Sequence, residues 1–427
     1  MTSSAETVEL PLTAGQLRRF KLRREGWALF PTSCCCFRIP GELNIDRFTD
    51  SIEILVSRHE ALRIEILERP GREPRQRIRG LPPRADLISC QNVLARSEEQ
   101  FSRYIRHIAV QERHEDWNAG AYPFRFRLYR YGPAVHVLLM ALSEMAVDGI
   151  GAETLIRDLA RTYADTLAGR PPRGRPSRTF ADSVARQVTT GGEGSPRFAE
   201  RDSSGLRLHT RFDVPPAGTA ERGGSGRQFS LSFAGTELAA LRKQASLHGC
   251  TEFTWILGAF ARTVFRFTRQ DRITISVPVN LRSRAEREIV GMYVLAVPVV
   301  VERPGDVDGG RCFVAGVGSA LLRAMVRYRP SMVGGPESRT DLSVQYQKMS
   351  GLDTREFYQW DAADYMPRVG YSTPGISVWI CSYSDVLDVQ AVLNPGVFSE
   401  DSAKGVSETL SRNLTSDSGQ EGRQSAG

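Results

Sequence analysis

The chain has 427 residues, of which 41% are hydrophobic and 25% charged, with a formal net charge of +7. That composition excludes a disordered or low-complexity chain and gives length enough for two lobes, while no apolar run reaches membrane-spanning length. The start, Met1-Thr2-Ser3-Ser4-Ala5-Glu6, lacks the basic and apolar stretches of a secretory signal, and the 7 cysteines include no Cys-x-x-Cys pair, so reduced thiols and a cytoplasmic location are expected.

The basic excess is mostly arginine, scattered along the chain with no zinc-finger spacing and no RNA-binding aromatic motif. Neither nucleic acid nor a membrane is expected as a partner. An acidic protein fits the charge, and so does a plain solvated arginine-rich surface.

In chain order, Thr13 can cap a first helical pattern carrying Leu17 and Phe20. Ser33 to Ile39, with Cys34-Cys35-Cys36, is β-prone and ends at the turn Pro40-Gly41. Asn44 caps an amphipathic helix whose Phe48, Ile52, Leu55 and His59 share a face. On periodicity alone His59 reads as a packed or helix-end histidine. Ile64 to Leu67 is strand-like, and Ser97 to Gln111 is helical. Arg125 to Tyr131 alternates with period two, turns at Gly132-Pro133, and forms a hairpin with Val135 to Leu142. The near-continuous apolar character of the latter implies burial on both faces. Leu155, Ile156, Leu159 and Tyr163 mark the next helix.

Residues 169–228 are rich in Gly, Pro, Ser and Arg, with one short helical pattern around Phe180 to Gln187. They read as a partly mobile connection between an N-terminal lobe, 1–168, and a C-terminal lobe, 229–414. In the second lobe Phe229 to Phe233 is a strand and Thr236 caps a helix through Leu238, Leu241 and Ala245. Phe253 to Phe267 is a buried helix. Ile273 to Val279 and Val294 to Val301 are strands, and Ala315 to Val326 is helical. Gly375 to Ile380 and Val386 to Leu393 form a final strand pair, followed by a weak helix from Asp401 to Leu414. The small polar residues of the tail, 415–427, are expected to be disordered.

The stretch Ala141 to Gly149 is a strand end turning into a helix, which gathers Ser143, Glu144 and Asp148 at a helix N-terminus. Other chemistries are absent. There is no Gly-x-Gly-x-x-Gly before a helix, no phosphate-binding loop, no His-Glu-x-x-His and no Gly-x-Ser-x-Gly elbow, so neither a nucleotide, a metal nor a bound cofactor is expected.

Five segments in register resemble the condensation domains of nonribosomal peptide synthetases, in the chloramphenicol acetyltransferase-like superfamily. They are Leu12-Thr13-Ala14-Gly15-Gln16, Arg58-His59-Glu60-Ala61-Leu62-Arg63, Ser143-Glu144-Met145-Ala146-Val147-Asp148-Gly149, Asp271 to Arg284, and Ile289-Val290-Gly291-Met292-Tyr293-Val294. The resemblance implies an α/β fold of two such lobes arranged as a V around a tunnel. It implies substrates on the phosphopantetheine arms of acidic carrier proteins acting in trans, other biosynthetic enzymes as further partners, and an amide or ester product. It also implies that Asp148 is structural and pairs with Arg63, with Gly149 shaping the site. His59, Tyr293, Leu295 and Asn280 become candidates for lining the tunnel.

The departure from the family lies at the chemistry. The family motif is His-His-x-x-x-Asp-Gly; here its two histidines are Ser143 and Glu144. His136 lies eight residues up the same strand, about 26 Å away at ~3.3 Å per residue, and does not take over. A free glutamate, with a pKa of about 4.3, is a poor base near neutral pH, and a low-dielectric tunnel would make it a better one. The residues therefore leave open a free-standing amide- or ester-forming enzyme with Glu144 as base or orienting group and Ser143 as a substrate hydrogen-bonder. The enzyme is the favoured reading, and the alternative is a silent domain that binds a carrier or recruits an enzyme. Cyclisation of a tethered intermediate and coenzyme A-dependent acyl transfer remain further alternatives.

Overall fold

The computed structural model describes residues 9–24, 32–114, 117, 120–171, 174, 178–191, 209–215, 227–305, 310–327, 340–348 and 375–415. They gather into two compact units. The described part of the first lies within 9–191 and 280–295; that of the second lies within 209–279, 296–348 and 375–415.

The first unit runs β1 (Glu9–Pro11), α1 (Ala14–Arg24), β2 (Thr32–Pro40), α2 (Ile45–Arg58), β3 (Ile64–Leu67), β4 (Arg75–Ile78), β5 (Ser89–Asn92), α3 (Glu98–His114), β6 (Phe124–Tyr131), β7 (Val135–Ser143), α4 (Gly149–Leu167) and α5 (Phe180–Gly191). One sheet has the order β2-β7-β6-β5 and a smaller one the order β1-β4-β3. β6 and β7 form the expected antiparallel hairpin, with Phe124 opposite Leu142 and Tyr131 opposite Val135.

β7 is the centre of this unit because both of its faces are apolar. Leu138, Met140 and Leu142 join Phe48, Ile52 and Leu55 of α2 and Leu155 of α4 in the larger core. Val137, Leu139 and Ala141 pack with Cys34, Cys36, Phe101 and Ile105 in the smaller one. Two cores on one strand fix its register, since a slip of one residue would exchange the sets. The Asn44 side chain caps α2 by accepting from the Arg47 amide at 3.1 Å, as its sequence predicts.

The second unit contains β8 (Arg227–Ala234), α6 (Gly235–Leu247), α7 (Glu252–Arg266), β9 (Arg272–Asn280) up to Val279, β10 (Val294–Glu302) from Ala296 on, α8 (Gly310–Arg327), β11 (Leu342–Lys348), β12 (Ile376–Ser382), β13 (Val386–Leu393) and α9 (Glu400–Thr415). Its sheet has the order β10-β9-β11-β12-β13-β8. β11 runs parallel to β9 and β12, whereas β13 is antiparallel to both its neighbours. α7 is buried on most sides, and its Trp255 indole donates to the Leu414 carbonyl of α9 at 3.0 Å.

Several expectations need correction. Thr236 does not cap α6; the helix begins at Gly235, behind Ala234, without a side-chain cap. The C-terminal helix expected from Asp401 to Leu414, in contrast, is present as α9, seated through Val406, Leu410 and Leu414. The expected connection, 169–228, contributes α5 to the first unit, and 280–295 also belongs there rather than to a C-terminal lobe. The physical reason is the apolar packing of Phe180 edge-on against Tyr293, with ring centroids 6.1 Å apart. Residues 192–208 and 216–226 of that connection and 416–427 of the tail lie outside the described residues. Among the described residues no helix is long and apolar enough to cross a membrane.

Candidate active-site turn

The turn after β7 is closed largely by one residue. The Ser143 carbonyl accepts from the amides of Ala146 and Val147, at 2.8 and 3.0 Å, and the Ser143 hydroxyl accepts from the Met145 amide at 3.3 Å. This is the local side chain-to-backbone bonding that favours serine in turns. Its hydroxyl is therefore engaged inside the turn.

Asp148 ends the turn and starts α4. Its Oδ1 accepts from the Gly151 amide at 2.8 Å, which satisfies one of the helix's open N–H groups. The same carboxylate accepts two bonds from Arg282, at 2.7 and 2.9 Å, and a third from the Tyr293 amide at 2.9 Å. Both side chains of the ion pair are 2% exposed. The partner of Asp148 is thus Arg282, not the expected Arg63. Arg63 ends a single 3-10 turn, Glu60–Arg63, and its guanidinium donates to the carbonyls of Val56 and Ser57 at the end of α2, and to the Arg79 carbonyl at 2.6 Å. The negative end of a helix dipole is a natural seat for that cation.

The segment 280–295 wraps this pair. The Asn280 side chain accepts from the Arg282 amide at 3.0 Å, and Arg282 also donates to the carbonyls of Ile289 and Gly291. The Arg282 guanidinium lies over the Tyr293 ring, 4.4 Å from its centroid. Gly291 allows this closure: a Cβ there would sit 2.3 Å from the Tyr293 ring and 2.8 Å from that of Phe180. Arg186 of α5 anchors the segment through Glu286, donating to both carboxylate oxygens. Burial raises the Glu286 pKa, but Arg186 and Ser283 outweigh it and bring the group down to about 2.

Three of the four residues expected to line a tunnel are buried in packing. His59 caps the end of α2, with its ring 3.1 Å from Asp158 Oδ2, where Arg58 also converges. Burial raises the Asp158 pKa, yet the neighbouring His59 and the charges of Arg58 and Arg157 hold it below the usual carboxylate value. A small cleft of this unit touches His59, Arg58, Arg178 and Phe180 but not Glu144. Tyr293 and Leu295 are core residues at 0% and 1% exposure. Burial also pushes the Tyr293 phenol above its ordinary range. Asn280 alone is exposed, as the residue that seats Arg282. Gly149 is the first residue of α4.

Glu144 lies in a different setting from the low-dielectric pocket expected of a base. Its carboxylate is ion-paired with Arg19 of α1, with the two side chains 27% and 26% exposed. One turn earlier on α1, Gln16 donates to the Met145 carbonyl at 2.8 Å. Gln16 is fully buried and exchanges a reciprocal pair of 2.9 Å amide bonds with Gln76 of β4. Thr13 donates to the Met292 carbonyl at 2.8 Å. A Cβ on Gly15 would meet the Val294 carbonyl oxygen at 2.7 Å, so only glycine lets α1 approach so closely. Sequence reasoning missed Arg282, Arg19 and Gln76. The first lay inside a motif already noted, whereas nothing in spacing marks the other two. Among the described residues no cluster of His, Cys, Asp or Glu is arranged to hold a metal.

Comparison with known proteins agrees with this geometry. The family model described as Condensation domain matches residues 11–326. The nonribosomal peptide synthetase kk1B of Curvularia clavata is 29% identical over 60% of this chain, and a probable non-canonical nonribosomal peptide synthetase, CymA, of Salinispora arenicola is 27% identical over 70%. The matched regions amount to 2% and 4% of those proteins. Among solved structures, the X-domain from teicoplanin biosynthesis superposes with a TM-score of 0.74 at 20% identity, covering 99% of this chain and 97% of that one.

Proposed function

The chain belongs to the condensation-domain family, and from that premise we propose that it is a docking domain of nonribosomal peptide biosynthesis that forms no bond itself. It would hold an acidic carrier protein, with its phosphopantetheine-borne intermediate, or a partner enzyme. The observation that carries this reading is the pairing of Glu144 with Arg19. Where the family's resemblance places a catalytic imidazole, this chain has a carboxylate bound to a guanidinium. Proton abstraction from an amine by that carboxylate would be opposed by the adjoining Arg19 charge, which favours the carboxylate over its protonated form. The Ser143 hydroxyl, engaged by the Met145 amide, offers no substitute.

The scaffold around the turn is complete, and that suits a domain that still recognises partners. The teicoplanin X-domain, similar in fold, has been solved as a complex with OxyB. That precedent supports recruitment of an enzyme as one form of the proposed role.

The test uses carrier protein loaded with an acyl or aminoacyl thioester, an amine acceptor, and the chain. Intact-protein mass spectrometry should show no new product, while calorimetry should show carrier or enzyme binding that survives Glu144→Gln. Product formed by the unaltered chain and lost in Glu144→Gln would overturn the docking reading in favour of an acyltransferase. Product formed from a coenzyme A thioester without a carrier would overturn it in favour of small-molecule acyl transfer.

A further inference from the structure

The turn is held from outside by one helix face. Gln16 and Arg19 lie three residues apart on α1, and so on one side of it. Gln16 grips the backbone at Met145 and Arg19 takes the neighbouring carboxylate. Gln16 cannot swing away, because each of its amide atoms has a defined use. Its oxygen accepts from the Thr13 amide at 2.7 Å and from Gln76, and its nitrogen donates to Gln76 and to Met145. Gln76, 0% exposed, is itself fixed to the Pro11 carbonyl at 2.8 Å. A buried amide network satisfied at every atom is rigid, since any rotation leaves a polar group unpaired.

We propose that α1 is a clamp that sets the availability of Glu144, with Arg19 as the direct partner and Gln16 and Gln76 as positioning residues. The identity of residue 144 then accounts for only part of the site's chemistry. The rest is fixed by a helix more than a hundred residues earlier in the chain and by a strand of the small sheet. The inference rests on the docking reading of the turn, but it concerns the reactivity of a carboxylate and is tested without any partner or product.

The experiment couples glycinamide to accessible carboxylates with a water-soluble carbodiimide, on the full chain, and follows the peptide carrying Glu144 by mass spectrometry. Arg19→Leu should raise the rate of labelling at Glu144 roughly two- to fivefold, the range expected when a partly exposed ion pair is lost. Gln76→Met, which leaves Arg19 in place, should raise it as well, by loosening Gln16 and with it the turn. A general loss of stability is controlled by Leu55→Ala, a core change outside the hydrogen-bonded network of Gln16, Gln76 and Arg19. Brought to the same melting temperature, that variant should leave Glu144 labelling unchanged. Equal labelling in the unaltered chain and in Arg19→Leu overturns the clamp. So does a rise in Leu55→Ala equal to that in Gln76→Met, which would reduce Gln76 to an ordinary core residue. Neither result bears on whether the chain makes a product, so a failure of the clamp remains distinct from a failure of the docking role.

Discussion

Asp148→Ala removes a carboxylate that accepts from Arg282 twice, from the Tyr293 amide and from the Gly151 amide. The Arg282 guanidinium, 2% exposed, would be left without its counter-charge. Breaking a buried pair in this way costs about 3–5 kcal/mol, and loss of the α4 cap adds about 1 kcal/mol. Arg282→Met should cost a similar 3–5 kcal/mol, because it strands the carboxylate instead. The double variant should fall well short of the sum, with a coupling of about 2–3 kcal/mol. Arg63→Met, which loses bonds to three carbonyls, should cost about 1.5–3 kcal/mol and add to Asp148→Ala within about 0.5 kcal/mol. Urea unfolding by circular dichroism measures the unaltered chain, the three single variants and the two doubles, with hydrogen exchange at the Gly151 amide as the local probe. A coupling of Asp148 to Arg63 as large as that to Arg282 would refute the assignment of the pair.

Gly291→Ala places a methyl group 2.3 Å from the Tyr293 ring, so the first unit should lose about 1–3 kcal/mol in the same urea assay; an unchanged midpoint would mean the segment 280–295 gives way freely. Burial, followed by the charge of Arg130, holds the His136 imidazole below its ordinary range, against a smaller pull from the Gly41 backbone. The unfolded chain therefore takes up the proton first. Stability is fully present above about pH 6.5 and falls as pH drops through that value, by up to about 1.4 kcal/mol per pH unit. His136→Leu should flatten the melting-temperature profile between about pH 7 and 5, and parallel profiles for the two proteins would exclude His136 as the cause.

The elements with strong periodicity were legible in the sequence. The apolar stripe of α2, the two-faced β7 and the buried α7 follow from spacing alone, because burial dictates which residues those faces carry. β1, β4 and β5 were not. Arg75-Gln76-Arg77-Ile78 and Ser89-Cys90-Gln91-Asn92 carry no alternation of apolar and polar residues, and β1 has three residues. Their pairing depends on neighbours distant in the chain, as Glu9 opposite Arg77 shows. The partner of Asp148 was hidden for the same reason. Arg63 and Arg282 are both single arginines within matched segments, and only the packing of 280–295 against the α4 N-terminus decides between them.

That decision also separates the matched residues that hold the fold from the two positions where the family's histidines are absent. The matched residues do structural work here: Thr13 and Gln16 tie α1 to the segment 280–295 and to the turn, Asp148 caps α4 and holds Arg282, and Gly291 admits Tyr293. Such residues report a fold, because each supplies a bond or a space that the packed unit needs. Positions 143 and 144 differ from these: Ser143 closes the turn, and the Glu144 side chain pairs with Arg19. Their side chains depend on what faces them, and what faces Glu144 is an arginine that no motif includes. The basic composition is subject to the same logic. Arg303 donates to the carbonyls of Phe265, Thr268 and Gln270, Arg227 to Phe398, and Arg242 to Tyr383 and Ser384. A positive charge engaged in this way holds loops together, so the net charge of +7 overstates the surface offered to an acidic partner.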